Sequence, residues 1–260
     1  MRRVTAVAYR ELKSYFVSPI AYFVIAIFLL ITGYFFYALL SNFVDYTFSS
    51  SAQAQYYRTA PPKVNVNMMV IRPLFHNISI VVIFMLPLIT MKLFAEEKKQ
   101  GTIELLLTSP ITQLEIILGK YLAAFLLYSA MLLPTVLYMV MLFVYGNPQF
   151  TPVLTGYLGL LLLGGSFIAI GILISSLTEN QIIAAAVSFG IFLLLWVLSW
   201  IAGMASGNLM EILSYVSIIN HFDDFAKGVF DTKSLVFYLS FIIFGIYLTF
   251  RSIESMRWRG

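Results

Sequence analysis

The stretch FAEEKKQGTIELLLTSPITQLEIILGK, Phe94 to Lys120, is the long charged interruption between two strongly apolar regions. Its residues spell out a shape. Gly101 breaks the helix that carries Glu96 to Gln100, TIELLLT suits a short helix of about two turns, and Ser109-Pro110 stops it. Thr112 with Glu115 has the pattern of a capping box, and Ile111 with Ile116 that of a hydrophobic staple. A new helix therefore begins at Thr112 and runs through Gly119-Lys120 into the next apolar run. Leu105, Leu106 and Leu107 would be wasted facing water. They fit a groove on another protein or the flank of the neighbouring apolar segments, which makes the stretch a docking element.

The apolar regions on either side define the solvent. Sixty per cent of the 260 residues are hydrophobic and 11% are charged, with a mean hydropathy of +0.90, whereas a soluble domain carries about 25% charged residues. The chain reads as an all-α integral membrane protein, and its units are spans of about 20 apolar residues. Six can be placed, at 20–40, 73–94, 120–145, 153–177, 182–202 and 234–250. The uncharged run from Tyr121 to Thr178 is too long for one crossing and is divided by YGNPQFTP, Tyr145 to Pro152, where Gly146 and two prolines end a helix and Asn147 favours a turn.

Positive residues near span ends are retained on the cytoplasmic side. With both termini inside, eleven of the sixteen Lys and Arg residues are cytoplasmic, and Arg58, Lys63, Arg72, Lys227 and Lys233 lie outside. The pI of about 9.2 then reflects topology and an anionic inner leaflet, with no nucleic-acid partner implied. Residues 1–18 contain no signal-peptide pattern. At 100° per residue Val4, Ala8, Leu12, Tyr15 and Phe16 share one face opposite Arg3, Arg10, Lys13 and Ser14. This predicts an amphipathic surface helix closed by Ser18-Pro19.

Catalysis finds little support. There are no cysteines and two histidines, His76 and His221. Each histidine reads as an interfacial side chain, and no pair has metal-ligand spacing, so no metal site is expected. The spans lack the intramembrane charges that proton or sodium relays display, which disfavours a secondary carrier. Ser166 beside Gly164 and Gly165 lacks the following glycine and the histidine of a serine protease. With Ala169 and Gly171, these small residues instead permit close helix approach in the fourth span.

A loop between the second and third of six spans, reading acidic pair, GTIELLLTSP, then GK at the next span, resembles the permease subunits of ABC type-2 exporters, and the resemblance runs over the whole chain as one permease domain, 1–260. HFDDFAKGVFDTKSLVFYLSF, His221 to Phe241, resembles more narrowly the gliding-motility and nitrous-oxide-maturation permease branch. The resemblance implies a bacterial inner-membrane protein, an export function and a coupling helix within the loop 95–111. Glu96, Glu97, Gly101, Thr102, Glu104, Leu105, Leu106, Ser109 and Pro110 would contact a cytoplasmic dimer of ABC ATPase subunits. It also implies a second permease copy or a related one completing the path. The outer region 203–232 would form two short re-entrant helices, with His221, Phe222, Asp223 and Phe225 at an outer gate and Asp223 and Asp224 at the water boundary.

ATP and Mg would belong to the partner, since the chain lacks a phosphate-binding loop: Leu114 stands where the first glycine would be and Tyr121 follows Lys120. The alternative implied by the gliding branch is a non-transporting scaffold coupled to the same ATPase. The polar loop 41–72, with Tyr46, Tyr56, Tyr57 and Pro61-Pro62, has no strong periodicity. It is either a contact for a periplasmic or membrane accessory protein or a disordered excursion, and both readings stand.

Overall fold

The computed structural model describes residues 2–60, 64–104, 111–204 and 206–257, the side chains of 208, 209, 256 and 257 excepted. The described chain is helical. In order it forms α1 (Arg2–Val17), α2 (Pro19–Tyr57), α3 (Arg72–Thr90), α4 (Lys92–Lys99), α5 (Gln113–Leu132), α6 (Val136–Tyr145), α7 (Phe150–Leu177), α8 (Gln181–Met204), α9 (Asn208–Val216), α10 (Ile218–Ala226) and α11 (Thr232–Arg257). A π-turn, Asn67–Ile71, leads into α3, and a 3-10 turn at Leu133–Thr135, around Pro134, joins α5 to α6. Six continuous stretches among the described residues are long and apolar enough to cross a membrane: Pro19–Tyr57, Asn67–Lys99, Gln113–Tyr145, Phe150–Leu177, Gln181–Met204 and Thr232–Ser255.

The second and fourth of these are central, with 72% of each apolar window buried, against 22%, 17% and 22% for the first, fifth and sixth. Small residues let the fourth occupy that place. Gly164 lies against the Tyr128 ring and Gly171 against Thr90, so that a Cβ at either would overlap its neighbour, while Ala169 abuts Gly245. Ser166 is buried and its hydroxyl donates to the Leu162 carbonyl of its own helix. The tyrosines that reach into this packing are satisfied: Tyr128 donates to the Leu160 carbonyl at 2.7 Å and Tyr238 to the Ile218 carbonyl at 2.7 Å.

Local signals decide the joints. Ser18 caps α2 through the Ile20 amide, with Pro19 in the first helical position. Thr112 and Glu115 make a full capping box at the start of α5. Gly101 turns the chain with φ +68, a backbone conformation that glycine adopts without strain.

The segment after Leu40 departs from its sequence reading. α2 continues to Tyr57 as one helix of 39 residues, about 58 Å long at 1.5 Å per residue, nearly twice the roughly 30 Å hydrocarbon layer. The polar run SNFVDYTFSSSAQAQYY lacks apolar periodicity because almost nothing packs on it. It is helical by continuation from an already nucleated helix, ending where Arg58 takes a left-handed φ of 53. Residues 61–63 lie outside the description.

The N-terminal helix also differs in what it rests on. α1 packs along α5: Val7, Ala8 and Tyr15 are buried, and a Cβ on Gly119 would come within 2.6 Å of Val7. Its apolar face is covered by protein.

Candidate functional site

At the α1 end of the bundle, α4 leaves the core and runs to Lys99, Gly101 reverses the chain, and the Thr102 amide closes the turn on the Glu97 carbonyl at 3.0 Å. Of the expected coupling residues, Glu96, Glu97, Gly101, Thr102 and Glu104 fall in this described part. Leu105, Leu106, Ser109 and Pro110 lie outside the described residues. The acidic pair is divided. Glu96 stays at the rim, accepting from Gln100 Nε2 at 3.4 Å, whereas Glu97 turns inward.

Glu97 meets Lys120 there. The Lys120 ammonium lies 2.9 Å from Glu97 Oε1 and 3.1 Å from Glu11 Oε1. Arg10 reaches Glu11 Oε1 at 2.7 Å and Glu97 Oε1 at 3.5 Å. Lys120, expected among the water-facing positive charges, has only 1% of its side chain exposed. A buried ammonium is tolerable when paired and hydrogen-bonded, and two carboxylates from two different helices supply the pairing. Burial pushes the Glu11 carboxyl up, but Lys120 and Arg10 outweigh it and hold the group below its ordinary value. Glu97 Oε2 is buried and accepts no hydrogen bond within the described residues.

Around the network opens a cleft of about 550 Å³, bordered by α1, α4, the Gly101 turn and Ile111, with Lys92 on its wall. The Lys92 ammonium sits 4.2 Å above the Tyr15 ring, and the Tyr15 hydroxyl donates to the Ile89 carbonyl at 2.7 Å. The N-terminal helix, the end of the second span and the start of the third are thus tied together immediately beside the Gly101 turn. Sequence reasoning missed Glu11 and Lys120 as partners. The available signal was one acid embedded in an otherwise basic N-terminal helix.

At the opposite end, where α3 and α7 begin, α10 lies across the bundle. The four residues expected at an outer gate share this helix but face different neighbours. Asp223 accepts from Arg72 Nη2 at 2.8 Å, lies 3.0 Å from His76 Nε2, and pairs with Lys227. It is therefore clamped to α3, with 27% of its side chain still exposed. The hydrogen bond with His76, opposed by partial burial and reinforced by Lys227 and Arg72, holds its carboxyl far below the ordinary range.

Phe222 and Phe225 are fully buried over Gly159, and the Phe225 carbonyl accepts from the Thr155 hydroxyl at 2.8 Å. His221 turns the other way, 3.0 Å from Ser234 Oγ and 3.0 Å from the Tyr215 carbonyl, with its ring stacked on Phe237 at 4.1 Å. Both histidines, expected to be interfacial side chains, also join elements, His76 to α10 through Asp223 and His221 to α11 through Ser234.

The arrangement offers no catalytic constellation in these two clusters. It offers a helix bundle fastened at both ends by ion networks, one of them adjoining an exposed turn. Residues 5–252 match the model of the ABC-2 family transporter proteins. The chain belongs to the ABC-2 transporter family. It is similar to the probable multidrug ABC transporter permease YbhR of Escherichia coli (strain K12), 28% identical over 141 residues, a match spanning 52% of this chain and 37% of that relative. It is equally similar to the protein of the same description from Escherichia coli O157:H7, at 28% over 141 residues with the same coverage. The matched part is thus well under half the length of these relatives. As an ABC-2 family member with six apolar helices, the chain is a multi-pass membrane protein.

Proposed function

We propose that this chain is the permease subunit of an ATP-driven exporter, working with a separate ABC ATPase dimer that carries the ATP and Mg. Both termini face the cytoplasm of a bacterial inner membrane in this reading, and a second permease copy or a related one completes the path. The six spans and both short helices make one permease domain. Residues Glu96 to Pro110 form the seat of the ATPase, and α9 with α10 closes the outer end.

The observation that carries the reading is the joining of Glu97 and Glu11 to the buried Lys120 beside the Gly101 turn. A load applied to the exposed turn reaches α4, α1 and α5 together through charge-assisted hydrogen bonds. An ordinary surface loop needs no buried lysine behind it. Catalysis of ATP hydrolysis belongs to the partner, and this chain contributes the conformational change, a shift between inward-open and outward-open populations. The similarity to relatives described as probable multidrug ABC transporter permeases supports a transport role.

Sealed proteoliposomes test the proposal. The permease reconstituted with its ATPase should move a lipophilic dye only with hydrolysable ATP. ATP hydrolysis stimulated by the permease, without movement of any dye, lipid or glycan offered, would favour the scaffold reading.

A further inference from the structure

The second and fourth spans share a hydrogen bond that belongs to neither alone. Ser175 of α7 is fully buried. Its hydroxyl donates to the Met91 carbonyl at 2.9 Å and accepts from the amides of Phe94 at 3.0 Å and Ala95 at 3.1 Å. In an unbroken α-helix the Ala95 amide bonds directly to the Met91 carbonyl. Here the Ser175 hydroxyl, a side chain from another helix, bonds both groups. A hydroxyl inserted into the i to i−4 ladder is one of the few physical causes of a helix break, and Met91 is where the helical run divides into α3 and α4. The hydroxyl has one donor and two acceptor positions, and all three are used.

The neighbourhood grips the joint from the α7 side. One turn before Ser175, Gly171 packs on Thr90 with no room for a Cβ, which holds α7 against the end of α3. Beyond the break, α4 carries Glu97 and runs into the Gly101 turn. An alternative pairing satisfies every group: the Phe94 and Ala95 amides bond the Thr90 and Met91 carbonyls directly, as in an unbroken helix, and the Ser175 hydroxyl folds back on a carbonyl of its own helix, as serines in helices commonly do. The bridged and direct arrangements therefore exchange hydrogen bonds without orphaning a polar group, which makes the joint able to hold two states.

We propose that Ser175 is the positioning residue at a two-state hinge, through which movement of α4 is transmitted to the bundle. The inference rests on the proposed docking of an ATPase at Glu96 to Pro110, and its two parts are tested separately. The chain has no cysteine, so spin labels can be placed at Lys99→Cys on α4 and Leu177→Cys at the end of α7 and their separation measured in nanodiscs.

In the permease alone, Ser175→Ala should shift the label distance as α3 and α4 straighten, and Ser175→Thr, which keeps the hydroxyl, should restore it. With the ABC ATPase that copurifies from its own host, the parent distance should change on trapping with ATP and vanadate. Ser175→Ala should still copurify the ATPase but lose that change. An unaltered distance distribution in Ser175→Ala alone, or a full nucleotide-dependent change in its complex, would overturn the hinge. A parent permease that binds no ATPase while Ser175→Ala shifts the labels would remove the docking reading and leave the joint intact.

Discussion

The Lys120 ammonium lies 2.9 Å from Glu97 Oε1 with 1% of the lysine side chain exposed, so the start of the third span is held to the last turn of α4, ahead of the Gly101 turn, by a pair that water scarcely reaches. Removing one partner of a buried ion pair costs about 3–5 kcal/mol, because the remaining charge has lost its compensation. Lys120→Ala should therefore lower thermal stability in detergent markedly. Lys120→Met combined with Glu97→Gln and Glu11→Gln should recover much of the loss. A triple variant no more stable than Lys120→Ala would show that the network does not act as a unit.

The glycines of the fourth span allow a graded test of packing. Gly164→Ala and Gly171→Ala place a methyl into Tyr128 and Thr90 respectively, and overpacking of this kind costs about 1–3 kcal/mol. Gly190 on α8 has nothing within 4 Å of its added Cβ, so Gly190→Ala should be neutral or slightly stabilising through helix propensity. Unfolding midpoints of the three variants in one detergent decide the matter. Equal midpoints would contradict the close approach.

Acid sensitivity follows from Asp223. Its carboxyl is held below the ordinary 3.8 chiefly by the hydrogen bond with His76, then by Lys227 and Arg72, against an opposing contribution from burial. The folded value being depressed, the stabilisation is fully present above about pH 5 and is lost as pH falls through the unfolded value toward the folded one. Asp223→Asn should be less stable than the parent at neutral pH, and the difference should shrink below about pH 4. Melting curves from pH 7 downward check this. A difference that grows on acidification has the wrong sign for the account.

Topology is tested by reporters. A fusion after Gly260 should read as cytoplasmic and an insertion near Ala60 as external, because Lys and Arg concentrate at the opposite end of the bundle from the Ala60 loop. The reverse at either place would invert the assignment of the docking end.

Much of the helical layout is written locally in the chain. Gly101, the Thr112–Glu115 box, Ser18-Pro19 and the Gly146–Pro148 turn each depend on residues a few positions apart, and each appears in the structure at its place. What the sequence conceals is long-range. Glu11 and Lys120 are 109 residues apart, Arg72 and Asp223 are 151 apart, and Met91 and Ser175 are 84 apart. A lysine at the head of an apolar run looks like any interfacial charge until a helix from the N-terminus covers it. The helix from Ser41 to Tyr57 was illegible for the opposite reason: periodicity reports a packed face, and this segment has almost none to report.

The central claim is that Glu96 to Pro110 seats an ATPase. Leu106→Asp would place a carboxylate in an apolar groove, at a cost of several kcal/mol when unpaired. Gly101→Pro forces φ to about −65° where the turn holds +68. Copurification of the ATPase and permease-stimulated ATP hydrolysis should both fall sharply in these two variants, with membrane insertion unchanged, while Gln113→Ala should match the parent. Full copurification and full stimulation in both Leu106→Asp and Gly101→Pro would contradict the account.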